Sequence, residues 1–311
     1  MERLDVLVLG DANPDLVLRG GDLAPVTDQR ERIVEQATFT VGGSGAIFAC
    51  AAARLGLAVA FVGIVGDDVF GGFLRDRLES AGVDTRGLIV RPGRSTGVSV
   101  VLSRPTDRGI YTATGTIADL GSSDVDPALV RASRHVHVAS YFLHAALRPG
   151  LSALFDEARA AGATTSLDPN WDPAGTWDDG LRDLLPRVDL FLPNATEAAR
   201  ISRVDDVDES VRSLAALGPT VAVKLGERGG LARRGDEVVR VAGVAADVVD
   251  TTGAGDAFDA GFVLGTLEGW PLERSLRFAN ACGALSCRSV GGVDALPTRE
   301  EALAALADRP A

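Results

Sequence analysis

Short apolar runs alternate along this chain with longer stretches in which apolar positions recur every three or four residues. The runs at Asp5–Leu9, Ala58–Val65, His135–Ala139, Ala163–Leu167, Asp189–Leu192 and Thr220–Leu225 read as buried strands. Helical periodicity predicts helices over Gly45–Leu55, Phe70–Ala81, Gly150–Ala161, Thr196–Ile201, Asp208–Leu217, Ala257–Leu267, Leu272–Arg288 and Arg299–Leu306. This alternation predicts an α/β fold, a mostly parallel sheet covered by helices on both faces. Two segments break the rhythm, Asp15–Phe39 and Thr96–Thr114, the latter alternating through Val98, Val100, Leu102, Ile110 and Tyr111. They read as antiparallel strands outside the main sheet and, lying close to candidate ligand residues, as a lid; a plain edge extension of the sheet explains them nearly as well. No long polar linker divides the chain, so residues 1–311 are expected to form one domain, with the residues after Ala307 frayed.

The composition narrows the partners. With 31 Lys+Arg against 43 Asp+Glu the formal net charge is −12, which repels nucleic acid and anionic lipid and favours a small-molecule ligand. Cys50, Cys282 and Cys287 are odd in number and lie in alanine-rich helical stretches, unlike a disulfide framework or a metal cluster, so a reducing, cytoplasmic setting is expected. The first ten residues lack the pattern of a signal peptide. Phe48–Gly66 is apolar, but Arg54, Gly56, Gly63 and Gly66 interrupt it, which suits a buried helix and strand rather than a membrane span.

The stretch Asp250-Thr251-Thr252-Gly253-Ala254-Gly255-Asp256-Ala257-Phe258 carries the most chemistry. Val244–Val249 reads as a strand before it and Ala257–Leu267 as a helix after it, so the glycines fall where a helix begins. Free amides of a first helical turn, aided by the helix dipole, bind an anion without any lysine. Asp256 would repel a resting phosphate, but it makes sense as the base that takes a proton from a hydroxyl attacking phosphorus. An aspartate N-cap after a glycine turn is the bland alternative.

Other candidates gather at strand ends, where ligands of open α/β sheets sit. Gly42-Gly43-Ser44-Gly45 opens an alanine-rich helix and allows close approach of either a ligand or neighbouring backbone; Phe48 excludes a dinucleotide fingerprint, and no Lys-Ser or Lys-Thr pair makes it a Walker loop. Asn13 and Asp15 follow the first strand; Asp15 can accept sugar hydroxyls, while an Asx turn accounts equally well for Asn13. Asn194 and Glu197 could hold hydrated magnesium and a nucleotide phosphate, or simply cap a helix. Lys224 is assigned to nucleotide phosphates, against a solvated lysine, with Gly226 and a hairpin at Gly229-Gly230 beside it. Asp168-Pro169-Asn170 ends another strand and is explained by either a ligand contact or a turn, the turn being favoured, and His135, His137 and His144 read as structural.

Taken together, these residues resemble the ribokinase family of sugar kinases, the PfkB carbohydrate kinases, from about Gly10 to Pro297. The Asp250–Phe258 string is the family's signature, and Gly42-Gly43 with Gly45, Gly66-Asp67-Asp68, Asn194 with Glu197, and Lys224 with Gly226 and Gly229 follow in its order. The resemblance implies a three-layer α/β/α sandwich with a small β lid that often makes a homodimer contact. It implies transfer of the ATP γ-phosphoryl group, with magnesium, to a sugar hydroxyl. Asp256 would be the base, the backbone of Gly253, Ala254, Gly255 and Asp256 the anion hole, and Asn13, Asp15, Gly42, Gly43 and Ser44 the sugar pocket. Asn280 would lie near the adenine, and Asp250 and Thr252 match two ligands of a potassium ion that the family often binds. Ile47 and Ser44 replace the asparagine and lysine typical of ribose kinases, and Ala139-Ser140-Tyr141 lacks their glutamate. Asp168-Pro169-Asn170 looks more like the fructose and 2-keto-3-deoxygluconate branches. A nucleoside kinase of the same family is the runner-up, and a non-catalytic sugar-binding protein is set against both. A nicotinamide-dependent oxidoreductase is disfavoured by Phe48.

Overall fold

The computed structural model of the chain describes residues 3–24, 27–104 and 108–307. The expectation of fraying after Ala307 lies outside them, as do residues 25–26 and 105–107 of the two lid segments. In chain order the elements begin with β1 (Leu4–Leu9), β2 (Asn13–Arg19), β3 (Gln36–Gly42), α1 (Ser44–Arg54), β4 (Val59–Gly66), α2 (Val69–Ser80), β5 (Asp84–Arg91), β6 (Val98–Ser103) and β7 (Arg108–Ala113). They continue with α3 (Pro127–Ala132), β8 (Ser133–Val138), α4 (Leu151–Ala160), β9 (Thr164–Leu167), α5 (Leu181–Leu184), β10 (Leu190–Phe191), α6 (Ala195–Ser202) and α7 (Val207–Ala215). The last are β11 (Thr220–Lys224), β12 (Gly230–Arg234), β13 (Glu237–Val241), α8 (Ala254–Leu267), α9 (Leu272–Ser286) and α10 (Arg299–Ala307).

Nine strands form the main sheet in the order β13-β12-β11-β10-β9-β8-β1-β4-β5. It is parallel from β11 to β5, with β12 and β13 added antiparallel as a hairpin at one edge. Two apolar clusters lie on its opposite faces, because successive side chains of a strand point to opposite sides. In β1, Val6 and Val8 join the cluster with α1, α2, α8 and α9, while Leu7 and Leu9 join the one with α4, α6 and α7. The result is the expected three-layer α/β/α sandwich. His135 and His137 lie inside it: His135 bonds the hydroxyls of Thr164 and Ser166, and His137 stacks on Phe48 at 3.7 Å. Burial pushes both imidazoles down to about 3, so both are neutral, as a structural role requires.

The two segments that broke the rhythm supply a separate four-stranded sheet, ordered β3-β2-β6-β7. Its outer pairs are antiparallel as expected, but β2 and β6 run parallel, since each enters the sheet from a different crossover. Two further expectations need correction. Val244–Val249 is no strand: it runs irregularly between β13 and α8, with Val248 and Val249 63% and 41% exposed. Its valines match a strand composition, but the segment pairs with no strand, and the Val249 and Asp250 amides donate instead to Cys287 O. The strand β5 was missed because Asp84, Thr85, Arg86, Gly87 and Arg91 hide an edge strand's pattern.

Candidate active site

The first turn of α8 is where the chain presents its backbone donors. Gly253, the residue before it, has φ 76°, and no side chain caps the helix. A Cβ on Gly253 would stand 2.8 Å from Gly292 Cα and 2.9 Å from Ile47 Cγ2, so glycine is needed for conformation and for space. Asp250 shapes the approach to this turn: its Oδ1 accepts from the amide and hydroxyl of Thr252, and its Oδ2 from the Gly291 amide. The N-terminus of α1 differs. The buried carboxylate of Asp11 accepts from the amides of Ser44 and Gly45, occupying the anion position that the glycine cluster offers. Gly43 and Gly45 are packed so closely that an added Cβ would meet Asp11 O at 2.8 Å and Gly10 Cα at 2.9 Å. Close backbone packing is therefore realised at that cluster.

Asp256 lies in the first turn of α8, 8% exposed. Burial, then the charge of Asp168, push its carboxyl well above the usual range, while Lys224 and a hydrogen bond from Ser44 pull it back. Ser44 also accepts from Asn170, which donates as well to Ser140. The Lys224 ammonium donates to Asp168 at 2.7 Å and to both oxygens of Asp259 at 3.0 and 3.1 Å. It also lies against the helix start, 3.6 Å from where a Gly255 Cβ would stand. Burial disfavours its charge, but Asp168, Asp259 and Glu197 outweigh that and raise its pKa. Burial alone would raise Asp168, yet Lys224, Asp259 and the Asn170 amide together hold it below its ordinary value. Asp259, first by burial, is raised well above. Three carboxylates, Asp168, Asp256 and Asp259, thus converge, with oxygens within 4.8 Å of one another, around one ammonium. A base, a cation and open amides at one helix start can accept a proton and steady a migrating anionic group.

A model of the pfkB family of carbohydrate kinases matches residues 3–299. The chain belongs to that family. It is 35% identical over 306 residues to the ATP-dependent ribose-1-phosphate kinase of Halopiger xanaduensis, with 98% of each chain covered. It is 33% identical over 275 residues to fructokinase-2 of Zea mays, covering 83% of this chain and 82% of that one. Among solved structures it resembles the adenosine kinase of Sinorhizobium meliloti, with TM-score 0.85, 26% identity and 99% and 100% of the two chains covered.

In this carbohydrate kinase the sequence-predicted residues divide into groups. Asn13, Asp15, Gly42 and Gly43 meet at the junction of the two sheets: Asn13 donates to Asp15 at 2.9 Å and to Ser99 at 3.0 Å, and an added Gly42 Cβ would collide with the Asp15 carboxylate. Burial, then the charge of Asp11, push Asp15 up to about 7. Asn194 and Glu197 form a reciprocal capping box at the start of α6, so the helix-cap alternative is realised there. Glu197 is 4% exposed and pushed up to about 7 by burial and then Asp168. Its two oxygens accept one hydrogen bond each from Asn194, which leaves a lone pair on each. Asn280 is buried beneath β13 and donates weakly to Val241 O at 3.5 Å. Gly226 and Gly229, at φ 61° and 89°, shape the turn between β11 and β12.

Lys224 departs most from expectation: it is neither solvated nor pointed away from protein charge, but held by two buried carboxylates. Asp168 is more than a turn residue, although its Oδ1 does accept from the Asn170 amide as a turn would. Asp11 and Asp259 were missed. Asp259 had a signal, being the lone charge in the apolar run Ala257–Leu267, since a buried charge requires a partner. A cavity of about 1050 Å³ reaches the loop at Asp250 and Thr251 from the small sheet; Asp256 does not line it.

Proposed function

We propose that this carbohydrate kinase moves the γ-phosphoryl group of ATP to a hydroxyl of a small sugar or sugar acid. The observation that carries the proposal is the uncapped start of α8, with Asp256 in its first turn and the Lys224 ammonium against Gly255. Asp256 takes the hydroxyl proton as oxygen attacks phosphorus, and its elevated proton affinity suits that task. The amides of Gly253, Gly255 and Asp256 steady the negative charge of the group in transit, while that of Ala254 donates to Thr251 O and Lys224 adds a fixed positive charge. Asn13, Asp15, Gly42, Gly43 and Ser44 hold the acceptor. Asn194, Gly226, Gly229 and Asn280 border the nucleotide. The ATP dependence is supported by the likeness to the ATP-dependent ribose-1-phosphate kinase of Halopiger xanaduensis.

Magnesium that accompanies ATP supplies neutralisation of phosphate charge. Glu197, whose oxygens also hold Asn194, would reach it directly or through bound water. Asp250 and Thr252 are bonded to each other, and we assign them the shape of the loop and derive no step through potassium. A fructose or 2-keto-3-deoxygluconate type of acceptor is favoured over ribose by Ile47, which is 3% exposed and packs beside Gly253 and Gly292 instead of offering an amide. The likeness to an adenosine kinase keeps nucleosides as the second reading. A homodimer through the small sheet suits the exposure of β7, where Ile110 and Tyr111 are 53% and 59% exposed; sedimentation of a Tyr111→Lys variant checks it. Three free, buried cysteines suit a cytoplasmic setting.

The test is ATP consumption over a panel of sugars, sugar acids and nucleosides, with Asp256→Asn in parallel. Turnover should fall by roughly 10² to 10⁴, the usual contribution of a positioned base. An unchanged rate removes Asp256 from that role.

A further inference from the structure

In a chain carrying a net charge of −12, three arginines meet at one cavity. The cavity of about 1050 Å³ is lined by Arg19, Arg104 and Arg108, by Ser103, and by the loop at Val249–Thr251. Strand register explains the convergence of two of them, Arg19 and Arg108. Arg19 of β2 pairs with Ser103 of β6, which pairs with Arg108 of β7, so the three form one row across the small sheet. Asp15, Ser99 and Thr112 form another row in the same way, and Val17, Val101 and Ile110 a third between them. In-register partners share a face, and residues two and four apart on a strand share it too. The face that carries Asp15 therefore carries, roughly 13 Å further along the strands, two guanidinium groups with the Ser103 hydroxyl between them.

Two contacts aim that row at the phosphoryl-transfer loop. Arg108 Nη1 donates to Thr252 Oγ1 at 3.3 Å, and Arg19 Nη2 donates to Val249 O at 3.2 Å. Arg108 is also close enough to Asp15 to favour its ionised form. Among the described residues two acids line the cavity, Glu35 and Asp250, and Asp250 accepts from Thr252 and Gly291. Planar guanidinium groups beside a hydroxyl match carboxylate and phosphate oxygens, which they bind with charge-assisted hydrogen bonds.

We infer that the acceptor carries an anionic group, a carboxylate or a phosphate, which Arg108 and Arg19 hold at this end of the small sheet while Asp15 holds the hydroxyls. The inference rests on the kinase reading for its acceptor, and it adds a charge requirement which that reading lacks.

The experiment has a binding arm and a turnover arm. Calorimetry compares ribose, ribonate and ribose 1-phosphate, and then fructose, 2-keto-3-deoxygluconate and fructose 6-phosphate, with the wild type, Arg108→Met, Arg108→Lys and Arg19→Met. At least one acid or phosphate should bind ten-fold or more tighter than its neutral counterpart. Arg108→Met should remove roughly 10- to 100-fold of that affinity, with partial rescue by lysine. Whether acids or phosphates win identifies the group. The inference is overturned if no anionic compound binds, if neutral and anionic compounds bind alike, or if the preference survives both methionine variants. ATP consumption with the same compounds separates the two readings. Arginine-dependent anion binding without turnover sinks the kinase reading alone, and turnover of neutral sugars without anion preference sinks this one alone.

Discussion

Replacing Lys224 by methionine separates two roles for the residue, because the structure gives it a task that the sequence did not show. Its ammonium serves Asp168 and Asp259, whose side chains are 8% and 1% exposed. Methionine fills much the same space but leaves two buried carboxylates without a counter-charge. Removing one partner of a buried pair costs about 3–5 kcal/mol, since the remaining charge is left buried without compensation. At about 2–4 °C per kcal/mol for a chain approaching this size, Tm should fall by roughly 6–20 °C. The loss depends on pH. In the wild type the Lys224 contribution is constant below its unfolded pKa near 10.4, because the folded value is raised and the proton stays on throughout. In the variant, Asp259 can relieve the site by taking a proton, and its pKa is already raised. A raised acid favours the folded state at low pH, so the deficit should be smaller at pH 5.5 than at pH 8.5. Urea unfolding at the two pH values, with ATP affinity measured in parallel, is the assay. Adding Asp259→Leu should restore part of the loss, because an apolar replacement needs no counter-charge. A Lys224→Met protein within about 1 kcal/mol of the wild type, but with ATP affinity reduced 100-fold, would refute the structural argument and make Lys224 a nucleotide ligand.

Asp15 is pushed up to about 7, so between its unfolded value near 3.9 and pH 7 the folded state holds a proton that the unfolded chain has lost. Its stability penalty grows over that window and is complete above it. Asp15→Asn should therefore raise stability by on the order of 1–3 kcal/mol at pH 8 and by little near pH 4, while weakening acceptor binding; equal gains at both pH values would contradict the assignment. Gly253→Ala places a Cβ 2.8 Å from Gly292 at φ 76°. It should cost roughly 1–3 kcal/mol and reduce turnover, checked by thermal unfolding and ATP consumption. A variant with wild-type Tm and rate would show that the turn tolerates a side chain.

The layers of the fold were legible because long periodic segments and fully apolar runs leave few alternatives; helices such as Phe70–Ala81 differ from the observed Val69–Ser80 only at their ends. The strand β5 was not, because an edge strand need be apolar on neither face. The signature at Asp250–Phe258 was legible because its conformation depends on local residues, glycine at 253 above all. Electrostatic partnerships between distant residues were not: Lys224 meets Asp168 across 56 positions and Asp259 across 35, and periodicity carries no record of such pairs. Strand register hides in the same way. The row joining Arg19 to Arg108 exists because β2 lies beside β6, an adjacency fixed by how the two chain segments enter the small sheet rather than by their composition.

The junction between the two sheets has a mechanical consequence. Only Gly10, Asp11 and Ala12 separate β1 from β2, and Asp11 in that link grips the amides of Ser44 and Gly45 through its carboxylate and that of Ala46 through its carbonyl. The link is thereby fastened to the end of α1, which packs on α8. Displacement of β2 relative to the main sheet therefore strains the hydrogen bonds of Asp11 and, through α1, the packing of the helix that carries Asp256.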